Sequence, residues 1–98
     1  MSKSPDECTS LSDVRAEIDR IDQQIVNLIG QRAGYVRVAA RFKTSAADVR
    51  AAERVEAMLR QRRIWAEEID LSPDLIERLY RESVAHFTQH EMANWKGG

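Results

Sequence analysis

The chain has 98 residues, enough for one domain with a modest hydrophobic core and too few for two. Its composition, 43% hydrophobic and 32% charged, is that of a globular protein rather than a disordered one. A net charge of -1 and a pI near 6.1 provide no overall attraction to nucleic acid or to anionic lipid. We therefore expect residues 1–98 to form a single domain without nucleic-acid or membrane partners.

The first nine residues are polar and include Pro5, which predicts a flexible segment before the first helix. This segment carries the one cysteine of the chain, Cys8, which has no partner for an internal disulfide. It lacks the apolar run of a signal peptide, and no transmembrane run follows it. A reducing cytoplasm is the expected location.

A heptad-like apolar pattern predicts a first helix from Leu11 to about Phe42. Ser10 and Asp13 resemble a capping box at its start. The helix would be roughly 45–50 Å long, whereas a compact chain of this size has a radius of gyration of about 13 Å. Since one small core cannot cover so long a seam, we expect a homodimer in which a second copy lies alongside. The seam comprises Leu11, Val14, Ile18, Ile21, Ile25, Leu28, Tyr35, Ala39 and Phe42.

Two further helices are predicted, one from about Asp48 to Glu68 and one from Pro73 to Trp95. A polar connection, residues 43–47, precedes the second helix. Ser72 followed by Pro73 is a strong start signal for the third. Because no strand pattern occurs, the expected class is all-α with three helices.

Arg32 occupies a position in the first-helix seam where an apolar residue is expected. A guanidinium stays charged at physiological pH, and burying it without a partner costs several kcal/mol. The fold must therefore place an anion beside Arg32. That anion belongs either to the protein or to a bound ligand.

Three more cations, Arg15, Lys43 and Arg54, lie near inward-facing positions, and Glu91 is the comparable anion. In one explanation Arg32 pairs with Glu91 in a buried bridge while the other cations are solvated. A single bridge leaves at least one cation over, however. The surplus favours a small polyanionic ligand bound between helices.

His86 and His90 have the i, i+4 spacing of metal ligands, but no third ligand with suitable spacing accompanies them. The sequence also contains no glycine-rich phosphate loop and no evident nucleophile–base arrangement. We therefore predict an activity, if any, that uses no metal, no cofactor and no covalent intermediate.

Four parts of the sequence carry a family resemblance: residues 8–22 (CTSLSDVRAEIDRID), Arg32, residues 40–43 (ARFK) and residues 53–55 (ERV). Together they resemble the all-helical chorismate mutase family, and within it the isochorismate pyruvate-lyase branch that makes salicylate for siderophores. The resemblance extends from about Pro5 to Trp95.

This resemblance implies an intertwined homodimer of three-helix subunits with two equivalent sites shared between chains. Arg15 would reach into the site of the partner and bind one substrate carboxylate, and Arg32 would bind the other. Lys43 would donate to the ether oxygen from a mobile loop. Arg54 would contribute from the second helix.

Two positions bear on which reaction the resemblance implies. In the lyase branch a glutamine is expected where Glu91 stands. Mutases commonly have a glutamate at the position of Val55, so Val55 favours the lyase. The expected function is isochorismate pyruvate-lyase with weak chorismate mutase activity, and Lys43, Glu91 and Arg32 are the expected catalytic residues. The alternatives are a chorismate mutase that forms prephenate and a non-catalytic helical dimerisation module.

Overall fold

The computed structural model of the chain describes residues 2–94. Helices account for most of this range, and no strand occurs within it, so the all-α prediction is confirmed. None of the helices in the described range is long and apolar enough to cross a membrane. One compact unit ends at Val36 and the other begins at Arg37. The elements are a 3-10 turn (Pro5–Glu7), α1 (Leu11–Ala40), α2 (Ala46–Arg50), α3 (Ala52–Glu68) and α4 (Pro73–Asn94).

Helix α1 begins with a side-chain cap built from three residues. The Asp13 backbone N–H donates to Ser10 Oγ at 3.0 Å, as the sequence predicts. The Asp13 carboxylate accepts from the backbone N–H of Thr9 at 3.0 Å and from its hydroxyl at 3.1 Å, one residue earlier than in a capping box. These bonds satisfy donors that the first turn of a helix otherwise leaves unpaired.

The described part of the N-terminal segment, residues 2–9, contacts the first turns of α1. The Lys3 ammonium lies 3.1 Å from an Asp13 carboxylate oxygen, and the Lys3 backbone N–H donates to the Glu17 carboxylate. The flexibility expected of residues 1–9 stays a prediction.

The seam of α1 is uncovered within the single chain. Exposure of its apolar side chains between Leu11 and Leu28 ranges from 39% at Val14 to 60% at Leu11. The structure describes every residue of α1, and none of them is buried in the single chain. A helix of this kind has little tertiary packing of its own to stabilise it.

The predicted second helix is two helices, which corrects the sequence-based boundary at Asp48. Helix α2 starts at Ala46, and Ala51 then adopts a left-handed conformation with φ 43° and ψ 52°. That conformation interrupts the i to i−4 ladder, and α3 begins at Ala52. Apolar periodicity could not reveal this break, because alanine is the best helix former.

Helices α3 and α4 pack against each other and hold the core of the second unit. The buried apolar residues of the described range, Met58, Leu59 and Ala66, all lie on α3. Ser72 caps α4 as predicted, with its Oγ accepting from the Leu75 backbone N–H at 3.2 Å. The apolar stripe predicted for this helix ends at Trp95, which lies outside the described residues.

An ion-pair network also joins α3 to α4. Arg63 contacts Asp74 at 2.9 Å and Glu77 at 3.1 Å. Arg81 contacts Glu77 at 2.8 Å and Glu56 at 3.2 Å. Hydrogen bonding from Arg81 is the main cause of a lowered pKa at Glu77. The network thus links α3, which carries Arg54, to α4, which carries Glu91.

Candidate active site

Lys43 and Glu91 meet in the second unit although 48 positions separate them in the chain. The Lys43 ammonium donates to Glu91 Oε2 at 2.8 Å. Their side chains are 23% and 11% exposed, so the pair is largely shielded from solvent. Such a shielded, charge-assisted hydrogen bond holds the ammonium in one place. Two of the predicted catalytic residues are therefore in direct contact.

Backbone hydrogen bonds hold Lys43 to the end of α1. The Lys43 N–H donates to the Ala40 carbonyl at 3.3 Å, and the Phe42 N–H donates to the Ala39 carbonyl at 3.0 Å. The chain therefore leaves α1 in a tight turn, and the Lys43 side chain departs from a defined backbone position.

Arg54 lies in the first turns of α3, where its side chain is exposed. It borders a shallow groove together with Ala47 and Ala51. Glu53 also lines this groove, so a cation and a carboxylate both lie beside the junction of α2 and α3.

Arg15 and Arg32 both lie on α1 in the first unit. Arg15 is exposed and Arg32 is half-buried. Their predicted roles as carboxylate ligands stay predictions, as does the alternative bridge from Arg32 to Glu91. The partner that the structure describes for Glu91 is Lys43.

Sequence reasoning also overlooked the residues that hold the loop after Lys43. Asp48 Oδ2 accepts from the Thr44 backbone N–H at 3.0 Å and from the Thr44 hydroxyl at 2.8 Å. Ser45 Oγ accepts from the Asp48 N–H at 3.1 Å. This arrangement repeats the cap at the start of α1. A signal was present, because the pattern Thr-Ser-x-x-Asp occurs at residues 9–13 and again at residues 44–48.

His86 and His90, the pair considered as metal ligands, lie on α4. The His86 ring packs edge-on against Phe87 with ring centroids 5.1 Å apart. Among the described residues, no group of three or more His, Cys, Asp or Glu side chains is placed to hold a metal ion.

Comparison with known proteins assigns the chain to a family. The chorismate mutase type II family matches residues 14–92, so the chain belongs to this family. The match includes the five residues singled out above: Arg15, Arg32, Lys43, Arg54 and Glu91.

Two known proteins are similar to this chain in sequence. The chain is 43% identical to the isochorismate pyruvate lyase of Pseudomonas aeruginosa over 94 residues, which is 96% of this chain and 93% of that protein. It is 38% identical over 85 residues to the T-protein of Haemophilus influenzae. That match covers 82% of this chain but only 22% of the T-protein. The resemblance to the lyase branch predicted from the sequence is thus confirmed.

Proposed function

We propose that this protein is an isochorismate pyruvate-lyase that forms salicylate and pyruvate without a cofactor. The observation that carries the proposal is the largely buried Lys43 ammonium, fixed by Glu91 in a chain that is 43% identical to such a lyase over nearly its full length. Arg15, Arg32 and Arg54 are the proposed substrate-binding cations. The proposed substrate is a small dianion with an enolpyruvyl ether.

The chemistry needs few protein groups. As the carbon–oxygen bond of the ether breaks, one hydrogen passes from the ring to the enolpyruvyl methylene, giving salicylate and pyruvate. This elimination requires no nucleophile, only a compact substrate conformer and stabilisation of charge on the ether oxygen. Lys43 is the proposed donor to that oxygen. Arginines on the two carboxylates would select the reactive conformer.

Chorismate mutase is the second candidate, and the match of residues 14–92 to the chorismate mutase type II family supports it. In that reaction a carbon–carbon bond forms while the same ether bond breaks, giving prephenate. The same cations serve both reactions, so we expect weak mutase activity beside the lyase. Val55 after Arg54, where the family resemblance implies a glutamate in mutases, favours the lyase as the main activity.

A homodimer is part of the proposal, supported by the uncovered seam of α1. The six aliphatic side chains of the seam between Leu11 and Leu28 are each at least 39% exposed in the single chain. Burying the remaining exposed half of each would contribute roughly 1 kcal/mol, about half of the value for full burial. A second copy offers the same surface in return, and through Arg15 it would complete the site of its partner. The cytoplasmic location expected from the lone cysteine also stays a prediction.

Incubation of the purified protein with isochorismate and, separately, with chorismate tests the reaction. Chromatography should show salicylate and pyruvate from isochorismate and a smaller yield of prephenate from chorismate. Lys43→Ala should lower kcat about 100-fold with a smaller change in KM, since charge on the ether oxygen develops mainly in the transition state. Arg41→Ala, an exposed cation two residues away, is the matched control and should retain full activity. Prephenate as the main product would favour the mutase.

Arg32→Leu distinguishes either enzyme from a non-catalytic dimerisation module. Leucine restores the apolar seam, so the thermal stability should hold or rise while activity falls by about 100-fold or more. If wild type forms no product from either substrate and Arg32→Leu prevents folding, Arg32 is a structural residue and the chain is such a module.

A further inference from the structure

The segment after Lys43 is closed by its own side chains. Asp48 Oδ2 accepts two hydrogen bonds from Thr44, at 3.0 Å from the backbone N–H and at 2.8 Å from the hydroxyl. Ser45 returns a third bond by accepting from the Asp48 N–H at 3.1 Å. The two residues that directly follow Lys43 are thereby tied to one carboxylate-bearing residue.

These bonds cap the N-terminal end of α2. Helix α2 has five residues and is followed by Ala51 in a left-handed conformation, so it gains no support from α3 by continuation. A helix this short is marginal by itself, because nucleation is unfavourable and few internal bonds follow. The cap is its clearest local source of stability.

Lys43 is consequently held from both sides. On its N-terminal side, its N–H donates to the Ala40 carbonyl at 3.3 Å. On its C-terminal side, the capped turn begins at the next residue, and α2 packs against α4. The ammonium reaches Glu91 on α4 from this fixed backbone.

Electrostatics couples the same groups. The hydrogen bond from the Thr44 backbone is the main cause of a lowered pKa at Asp48, with smaller contributions from the Thr44 hydroxyl and from the charge of Lys43. An aspartate is already ionised at neutral pH, and the lowered pKa extends its ionised, acceptor-only form to lower pH.

We propose that Asp48 is a positioning residue for Lys43: by closing the Thr44–Asp48 turn it pre-organises the loop that carries the reacting ammonium. This inference rests on the proposed function, in which Lys43 donates to the ether oxygen. It assigns Asp48 no contact with substrate. Without the turn, the loop would have to become ordered each time the transition state forms. The free energy of that ordering would raise the activation barrier and lower kcat.

Three variants test the proposal. Asp48→Ala removes the acceptor and should lower kcat about tenfold while KM changes less than threefold. Asp48→Asn keeps an acceptor oxygen and should retain kcat to within about threefold. Ser72→Ala removes the analogous cap of α4, where no proposed site residue is adjacent. It is the matched control and should lower the melting temperature without changing kcat.

A second measurement does not depend on the reaction. In NMR of the free protein, the bond to Glu91 should protect the Lys43 side-chain ammonium protons from exchange with water. Asp48→Ala should abolish that protection, whereas Asp48→Asn should preserve it. If wild type is inactive towards both substrates, the proposed function fails while this signal still decides whether Asp48 positions Lys43. Unchanged kcat and protection in Asp48→Ala would overturn the proposal, as would an equal loss of kcat in Ser72→Ala.

Discussion

The contact between Lys43 and Glu91 sets a requirement on the proposed reaction. The ammonium donates to a carboxylate, with 2.8 Å between Lys43 Nζ and Glu91 Oε2. A dianionic substrate must share Lys43 with that carboxylate and approach its negative charge. The family resemblance implies glutamine at this position in the lyase branch, and an amide has no such charge. On the proposed function, Glu91 would thus oppose binding of the substrate that Lys43 would attract.

Glu91→Gln should relieve this opposition. The amide oxygen can still accept from Lys43, and the amide N–H₂ can donate to the ether oxygen. We expect kcat/KM for isochorismate at neutral pH to rise roughly three- to tenfold, because like charges juxtaposed in a binding site are penalised. Steady-state salicylate production measures the change. Glu82→Gln, at an exposed carboxylate on the same helix, should leave kcat/KM unchanged. A folded but inactive Glu91→Gln would mean that the carboxylate itself is required.

At the scale of elements, two helices are started by the same five-residue pattern. Thr9 to Asp13 and Thr44 to Asp48 form equivalent hydrogen bonds. In the first, the Thr9 backbone N–H is the main cause of an Asp13 pKa of about 2, with further lowering by Lys3 and the Thr9 hydroxyl. A carboxylate with a pKa below its unfolded value of 3.8 stabilises the folded state above that value. This stabilisation is lost as the pH falls towards about 2.

Asp13→Asn should therefore reduce the acid sensitivity of the fold. In wild type, part of the free energy of unfolding should be lost between about pH 5 and pH 2 through Asp13 alone. The asparagine variant cannot titrate at this position, so its free energy of unfolding should change less over the same interval. Urea titrations at a fixed protein concentration measure both. Thr9→Val removes only the hydroxyl donor, so the pH dependence of its free energy of unfolding should lie between those of wild type and Asp13→Asn. Identical pH dependence in all three would contradict the assignment.

The sequence predicted a helix correctly where a strong local pattern marked it, and it missed a helix boundary where no local pattern did. The seam of α1 and the Ser72–Pro73 start of α4 are strong local patterns, and both are confirmed. The break at Ala51 is invisible to apolar periodicity, because a left-handed alanine depends on its surroundings rather than on its own preference. For the site, the sequence identified Lys43 and Glu91 individually. Their contact depends on how α4 packs in the second unit, which local patterns do not determine.

At the scale of the whole molecule, we propose that dimer formation through α1 stabilises the fold. Its seam is exposed in one chain, and the core of the described residues lies on α3. If a second copy covers the seam, unfolding and dissociation are one process. The melting temperature should then rise with protein concentration.

Sedimentation at low micromolar concentration should accordingly show a dimer. Ile25→Glu, which places a charge in the seam, should shift the protein to unfolded monomer, because burying an unpaired carboxylate outweighs the apolar gain. Gln24→Glu adds the same charge one residue away from the seam and should remain dimeric. A well-folded wild-type monomer under these conditions would contradict the proposed assembly.

The absence of any buried residue along α1, within the single chain that the structure describes, also bears on how the protein is made in a cell. On the proposed assembly, a newly synthesised chain remains a substrate for proteases until it meets another copy, and that encounter is second order in chain number. Abundance would then fall faster than expression when expression is low, since unpaired chains are degraded before they associate. The working amount of enzyme would switch on over a narrow range of synthesis rates, a threshold set by the geometry of one helix rather than by a regulatory site.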